Sequence, residues 1–214
     1  MRRSFKVGIV MCVALLALGS VASLALSQYD DKKKPAGGAG GAGGAMPSPE
    51  EMQAMMEMMG KVGPQHEQLK THFVGEWNAD VSAFWGPAPE KSTGMAKNEM
   101  MLGGRYVHGM FKGTAMGQPF EGAGITGYDN VKKKYFNAWV DSMSTGMMMS
   151  EGDYDSSSKS YTFSGETIGP DGKPCTMRQV IKVESNDKHV LSMYGPGMDG
   201  KEMKMMEIVY TRKK

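Results

Sequence analysis

The chain has 214 residues, a formal net charge of +2, two cysteines and 23 methionines. That length accommodates one domain with additional segments. The near-neutral balance excludes nucleic-acid binding driven by phosphate compensation, because the basic runs are short ones such as Lys32–Lys34 and Lys132–Lys134.

The first segment is an export leader by pattern. Arg2, Arg3 and Lys6 precede an uncharged apolar run from Val7 to Leu26, and small residues at Ala25 and Ser27 offer a cleavage site before Gln28. An uncut membrane anchor is the other reading, since the run is about the ~20 residues that a spanning helix needs. Cleavage takes three of the 25 basic residues and none of the 23 acidic ones, which moves the net charge from +2 to −1. It also leaves Cys175 as the remaining cysteine, so no internal disulfide can form. The expectation is a signal peptide over 1–27, a periplasmic or extracellular location, and no stable membrane insertion after cleavage.

Residues 28–47 turn to Asp, Lys, Gly, Ala and Pro, a composition too poor in apolar surface to offset the entropy of ordering. They read as a disordered linker. Structure is expected over 48–214. Ser48-Pro-Glu-Glu51 forms a capping box with proline at the first helical position, and Met52, Met55, Met56 and Met59 then mark one helical face ending near Gly60. That stripe suits a face lying on the rest of the domain, with methionine standing in for leucine. A second short helix is predicted from Pro64 to about His72, with Leu69 and Phe73 turned inward.

After Val74 the period changes to two. Trp77, Ala79, Val81 and Ala83 share a face, and strand-like stretches follow at 92–102, 105–114, 118–128, 134–142, 146–154, 159–168, 174–185, 189–194 and 202–212. Turn signals such as Leu102-Gly-Gly104, Asp129-Asn130 and Gly169-Pro-Asp-Gly172 separate them. About ten evenly spaced strands with no long helix between them predict an all-β, antiparallel up-and-down barrel preceded by one or two short helices. Closure also removes exposed strand edges. Charges such as Lys112, Glu151 and Lys182 along the strands argue against an outer-membrane barrel.

These landmarks resemble a known family. Gly75-Glu-Trp77, Leu102-Gly-Gly-Arg-Tyr106, Phe120-Glu-Gly-x-Gly124, Gly127-Tyr-Asp129, Trp139-Val-Asp-Ser142 and Tyr210-Thr-Arg212 are similar, in order, to the bacterial domain of unknown function 1579. The opening also resembles calycin barrels, the lipocalin and nitrobindin relatives. The resemblance implies a calycin-like barrel in which Trp77 plugs one end and Arg212, from the final strand, packs across it to close the barrel. Nitrobindin-like relatives bind haem through a histidine, but none of His66, His72, His108 or His189 stands in a matching context, so no cofactor is expected.

Chemistry-bearing patterns are sparse. No nucleophile elbow, phosphate loop, dinucleotide fingerprint or zinc spacing is present, and the chain reads as a non-enzyme without catalytic residues. Trp139 and Asp141 share a face with Tyr135 and Asn137, while Phe136, Ala138 and Val140 form the other, and the pattern leaves open which face lines the lumen. If the Trp139 face does, Asp141 needs a partner, with Arg105 or Arg178 as candidates. Arg105, His108, Trp139, Asp141 and Arg178 are therefore the candidate ligand-binding residues for a small apolar or amphipathic partner. Two alternatives stand beside this: Cu(I) or Ag(I) binding by methionine clusters, foremost Met147, Met148 and Met149, and a structural or interaction domain with a filled lumen.

Overall fold

The computed structural model describes residues 46–86, 88–169, 172–197 and 200–214. The leader over 1–27, and all but the last two residues of the linker over 28–47, lie outside the described residues. Two helical segments, α1 (Pro49–Gly60) and α2 (Pro64–Phe73), precede ten strands. These are β1 (Gly75–Ala83), β2 (Glu90–Met101), β3 (Tyr106–Ala115), β4 (Gln118–Asp129) and β5 (Lys134–Asp141), then β6 (Met148–Asp155), β7 (Ser160–Ile168), β8 (Pro174–Ser185), β9 (Lys188–Pro196) and β10 (Glu202–Arg212). Each strand pairs with its chain neighbours, and β1 pairs antiparallel with β10, so the meander closes into a barrel.

The hairpins follow their turn chemistry. Ala115 and Gln118 face each other across Met116-Gly117, whose φ angles of 49° and 71° suit the right-handed twist of the flanking strands. Along β1 the alternation is complete: Trp77, Ala79, Val81 and Ala83 are buried. Registry carries that inward face round the barrel. Trp77 opposes Ala96, Ala96 opposes Phe111, Phe111 opposes Gly122, and Gly122 opposes Asp141.

Helix α2 lies over one barrel end. Leu69 is fully buried, and with Phe73 it joins Val107, Tyr135, Tyr161, Phe163 and Val183 in one apolar cluster. Each such side chain contributes roughly 1.5–3 kcal/mol when fully buried. The helix leaves carbonyls without intrahelical partners at its end, and the barrel supplies donors for them. Trp77 Nε1 donates to Phe73 O at 2.8 Å and Asn98 Nδ2 donates to the same oxygen at 2.9 Å. Arg212 Nη1 donates to Val74 O at 2.6 Å. The Arg212 guanidinium also lies 4.2 Å from the centre of the Trp77 ring, across the β1–β10 closure.

Helix α1 departs from the expectation of a face lying on the domain. It is capped as its sequence predicts, with Ser48 Oγ accepting from Glu51 N at 3.2 Å and Glu51 Oε2 accepting from Ser48 N at 2.8 Å. Yet none of its residues is buried. It is held at its far end instead, where Asn130 Nδ2 donates to the carbonyls of Met58, Met59 and Lys61 at 2.8–3.2 Å.

Candidate functional site

The lumen divides into two halves with different filling. At the α2 end, Tyr135, Tyr161 and Phe163 are buried and close the interior. Tyr135 and Tyr161 meet edge to face at 5.1 Å, and their hydroxyls are engaged: Tyr135 donates to Gln68 Oε1 at 2.7 Å, and Tyr161 lies 2.9 Å from His72 Nδ1. Burial pushes the Tyr135 phenol up to about 12 and raises that of Tyr161 further, so both stay neutral.

Beyond this floor several inward residues of β4, β5 and β6 are half-buried, with Gly122 and Ser150 buried among them. Thr126, Asn137, Trp139 and Met148 all lie on the face that registry directs inward, yet each keeps part of its surface accessible. Beside them Val81, Phe111 and Ile208 are buried, with Phe120, Trp139 and Met206 packed against that cluster. Gly94 opposes Gly113, and Gly109 opposes Gly124, and the Phe111 ring, the Asn98 amide and the Trp139 indole occupy the space over them.

Trp139 occupies one slot in that wall. A Cβ on Gly122 would lie 2.1 Å from Trp139 Cζ2, and one on Gly124 would lie 3.0 Å from its Cε3. The indole thus rests against two glycines of β4. Its Nε1 donates to Asp141 Oδ2 at 3.0 Å, and Asp141 Oδ1 accepts from Met143 N at 3.0 Å, turning the chain out of β5.

A polar layer sits between floor and indole. Asn137 Nδ2 donates to Thr126 Oγ1 at 2.9 Å, and Asn137 opposes Ser150 on β6. Ser150 is buried, and its hydroxyl oxygen has no hydrogen-bond partner among the described residues. Buried Gln179 reaches across from β8, donating to Met148 Sδ at 3.8 Å. Phe111, Phe120, Leu191, Met206 and Ile208 supply apolar wall around Trp139. An apolar concavity with a few converging polar groups is the usual form of a small-molecule site.

The other sequence-derived candidates lie elsewhere. Asp141 pairs with neither arginine. Arg105 stands in the β2–β3 turn, donating to Leu102 O at 3.0 Å. Arg178 neighbours the inward Gln179 and so points out, where it grips Glu202 through two bonds of 2.9 and 2.6 Å and stacks 4.1 Å over the Tyr194 ring. His108 opposes Glu99 and Ile125 on the outer face. Alternation also splits the methionine run: Met148 turns inward, while Met147 and Met149 are exposed. The three thioethers cannot converge from adjacent strand positions.

Ser150, Thr126 and Gln179 went unnoticed in the sequence, and Asn137 was placed only on the Trp139 face, because isolated small polar residues in strands carry no signal until registry groups them. Among the described residues, His189 is the other buried side chain with an unpartnered atom, Nδ1. It lies in the filled half, stacked on Tyr210 and edge-on to Trp77, with ring centres 4.7 and 4.4 Å away. Burial, with the nearby Arg212 charge, holds it down at about 3. Among the described residues no group of three or more His, Cys, Asp or Glu could hold a metal ion. No described helix is long and apolar enough to cross a membrane. A groove of about 630 Å³ open to solvent lies at the barrel end covered by α2, between that helix and the ends of β4–β6, and is lined by Gln68, Tyr128, Lys133, Tyr135 and Tyr154 among others.

Comparisons with known proteins fit this architecture. The family described as "Protein of unknown function (DUF1579)" matches residues 61–212. Among solved structures, the chain is similar to Rv2717c from M. tuberculosis, at 12% identity and a TM-score of 0.55, over 72% of this chain and 100% of that one. It is also similar to the S-type phycobiliprotein lyase CPES from Guillardia theta, at 12% identity and a TM-score of 0.47, over 69% of this chain and 92% of that one. Identities this low speak to the fold alone. No curated protein matches.

Proposed function

The chain belongs to the DUF1579 family of proteins of unknown function, and from that premise we propose that it is an exported, non-enzymatic binding protein that holds a small amphipathic molecule in its barrel lumen, at the end opposite α2. The observation that carries this reading is the Ser150 hydroxyl, buried and, among the described residues, without a hydrogen-bond partner, beside the half-buried Asn137 and Met148. A desolvated hydroxyl left unpaired costs roughly 1–3 kcal/mol, which a ligand's polar end would recover. That end would sit against Ser150, Asn137 and Thr126, and its apolar body against Trp139, Phe120 and Met148. The Trp139–Asp141 pair stiffens the mouth side of the same wall. Export is part of the proposal and rests on the leader pattern of residues 1–27.

Native mass spectrometry of the chain purified from its own cell envelope tests the binding. A small molecule that co-purifies, and that is lost from Ser150→Val while the fold is kept, supports the reading. The absence of any bound species, together with no displacement of an anionic naphthalene probe from the lumen, refutes it. A secreted form whose intact mass begins at Gln28 supports export, and a full-length cytosolic chain refutes it.

A further inference from the structure

Helix α1 is built with care and then left uncovered. Its N-terminus has the full reciprocal capping box, Gln53 donates to Glu57 at 3.0 Å one turn apart, and Asn130 fixes its last carbonyls to the barrel. Nevertheless Met52, Met55, Met56 and Met59 are 42–61% exposed. Packing, the ordinary reason for a methionine stripe, is therefore absent here.

The residue type narrows what the face can be. At about 100° per residue these four side chains fall within an arc of about 100°, with Gln53, Glu50 and Glu57 turned away. The helix contains no Leu, Ile, Val or Phe, although leucine would make an equally apolar and equally helical face. What methionine adds is sulfur. Thioethers are soft donors that select Cu(I) and its analogue Ag(I). Residues three and four apart are neighbours on a helix surface, and three rotatable bonds let each thioether turn toward a shared centre. The helix carries Glu50, Glu51 and Glu57 and no Lys or Arg, so its field favours a cation.

We propose that α1 is a binding site for a soft monovalent cation, Cu(I) or Ag(I), held by the thioethers of Met52, Met55, Met56 and Met59. The site is independent of the lumen and needs no ligand there.

The test uses the full chain with Cys12 and Cys175 replaced by serine, so that thiolates do not mask thioethers, and with 13C-methyl methionine. Ag(I) titrated in chloride-free buffer, and Cu(I) titrated anaerobically against a chromophoric chelator, should each shift the same four methyl resonances with micromolar or tighter affinity. Changing Met52, Met55, Met56 and Met59 together to leucine should weaken binding of both ions at least tenfold while leaving helix content and thermal unfolding unchanged. Leucine preserves the apolar face, so loss of binding isolates the sulfur. Shifts confined to methionines elsewhere, uptake unchanged in the leucine variant, or no uptake of either ion would each overturn the proposal.

Discussion

Arg212 is the point where the barrel closure can be tested most directly. Its guanidinium donates to Val74 O at 2.6 Å and to Asn186 O through Nε and Nη2 at 2.9 and 2.6 Å, besides lying over the Trp77 ring. It also pairs with Asp187 at 3.0 Å, but that carboxylate is mostly exposed and adds little. A hydrogen bond from a charged group contributes about 1.5 kcal/mol or more, and the stack about 1 kcal/mol. Two of the three bonds share one exposed acceptor that water can satisfy, so Arg212→Ala should cost about 3 kcal/mol. For a domain of this size that lowers Tm by about 6–12 °C. Arg212→Lys keeps the charge but not the planar fork, and should recover less than half of the loss. Urea unfolding followed by tryptophan fluorescence measures both. A Cβ on Gly75, where φ is +131°, would lie 2.3 Å from Arg212 Nη1; Gly75→Ala should therefore destabilise less in the Arg212→Ala background than in the wild type. If Arg212→Ala stays within about 0.5 kcal/mol of wild type, or lysine substitutes fully, the closure does not depend on this contact.

Gly122→Ala should displace the Trp139 indole, break its bond to Asp141 and cost about 1–3 kcal/mol, read by denaturation together with a changed lumen-probe affinity. His189 is held neutral at about 3 in the folded state against an ordinary value near 6.5. The unfolded chain therefore binds the extra proton between those values, and stability should fall as pH drops from 6.5 toward 3, by at most about 1.4 kcal/mol per pH unit from this group. His66 and His72, also lowered by burial, act in the same direction. His189→Phe should flatten the 4.5–6.5 part of the pH–stability curve and leave stability at pH 7 equal or higher; an unchanged slope would refute the assignment. Asn130→Ala should release α1, seen as faster tryptic cleavage after Lys61, with barrel stability altered by less than about 1 kcal/mol.

Much of the fold was legible because its signals are local. Strand limits read from turn residues agree with the structure to within about two residues, since a turn such as Leu102-Gly-Gly104 uses positive φ angles at Gly103 and Gly104 that few residue types favour. The first and last strands meet because an even meander has nowhere else to place its edges. Which way each strand faces was less evenly written. On β8, Arg178 alternates with Lys182 against Ile181 and Val183, so its outward direction was readable from period two alone. On β5 it was not: the outer face carries Phe136, which meets Tyr106 at 6.0 Å over Gly127, and so it looks as apolar as the lumen face. The missing information there is the glycine on the neighbouring strand, over which the Trp139 and Phe136 rings lie. Gly122 and Gly124 fix Trp139 inside just as Gly127 accommodates Phe136 outside. Inwardness on β5 is thus a property of the β4–β5 pair, and it becomes visible only when registry sets Gly124 against Trp139 and Gly127 against Phe136. The same holds for the proposed site. Ser150 acquires meaning from Asn137 across the ladder and from an empty acceptor, neither of which exists in the linear chain.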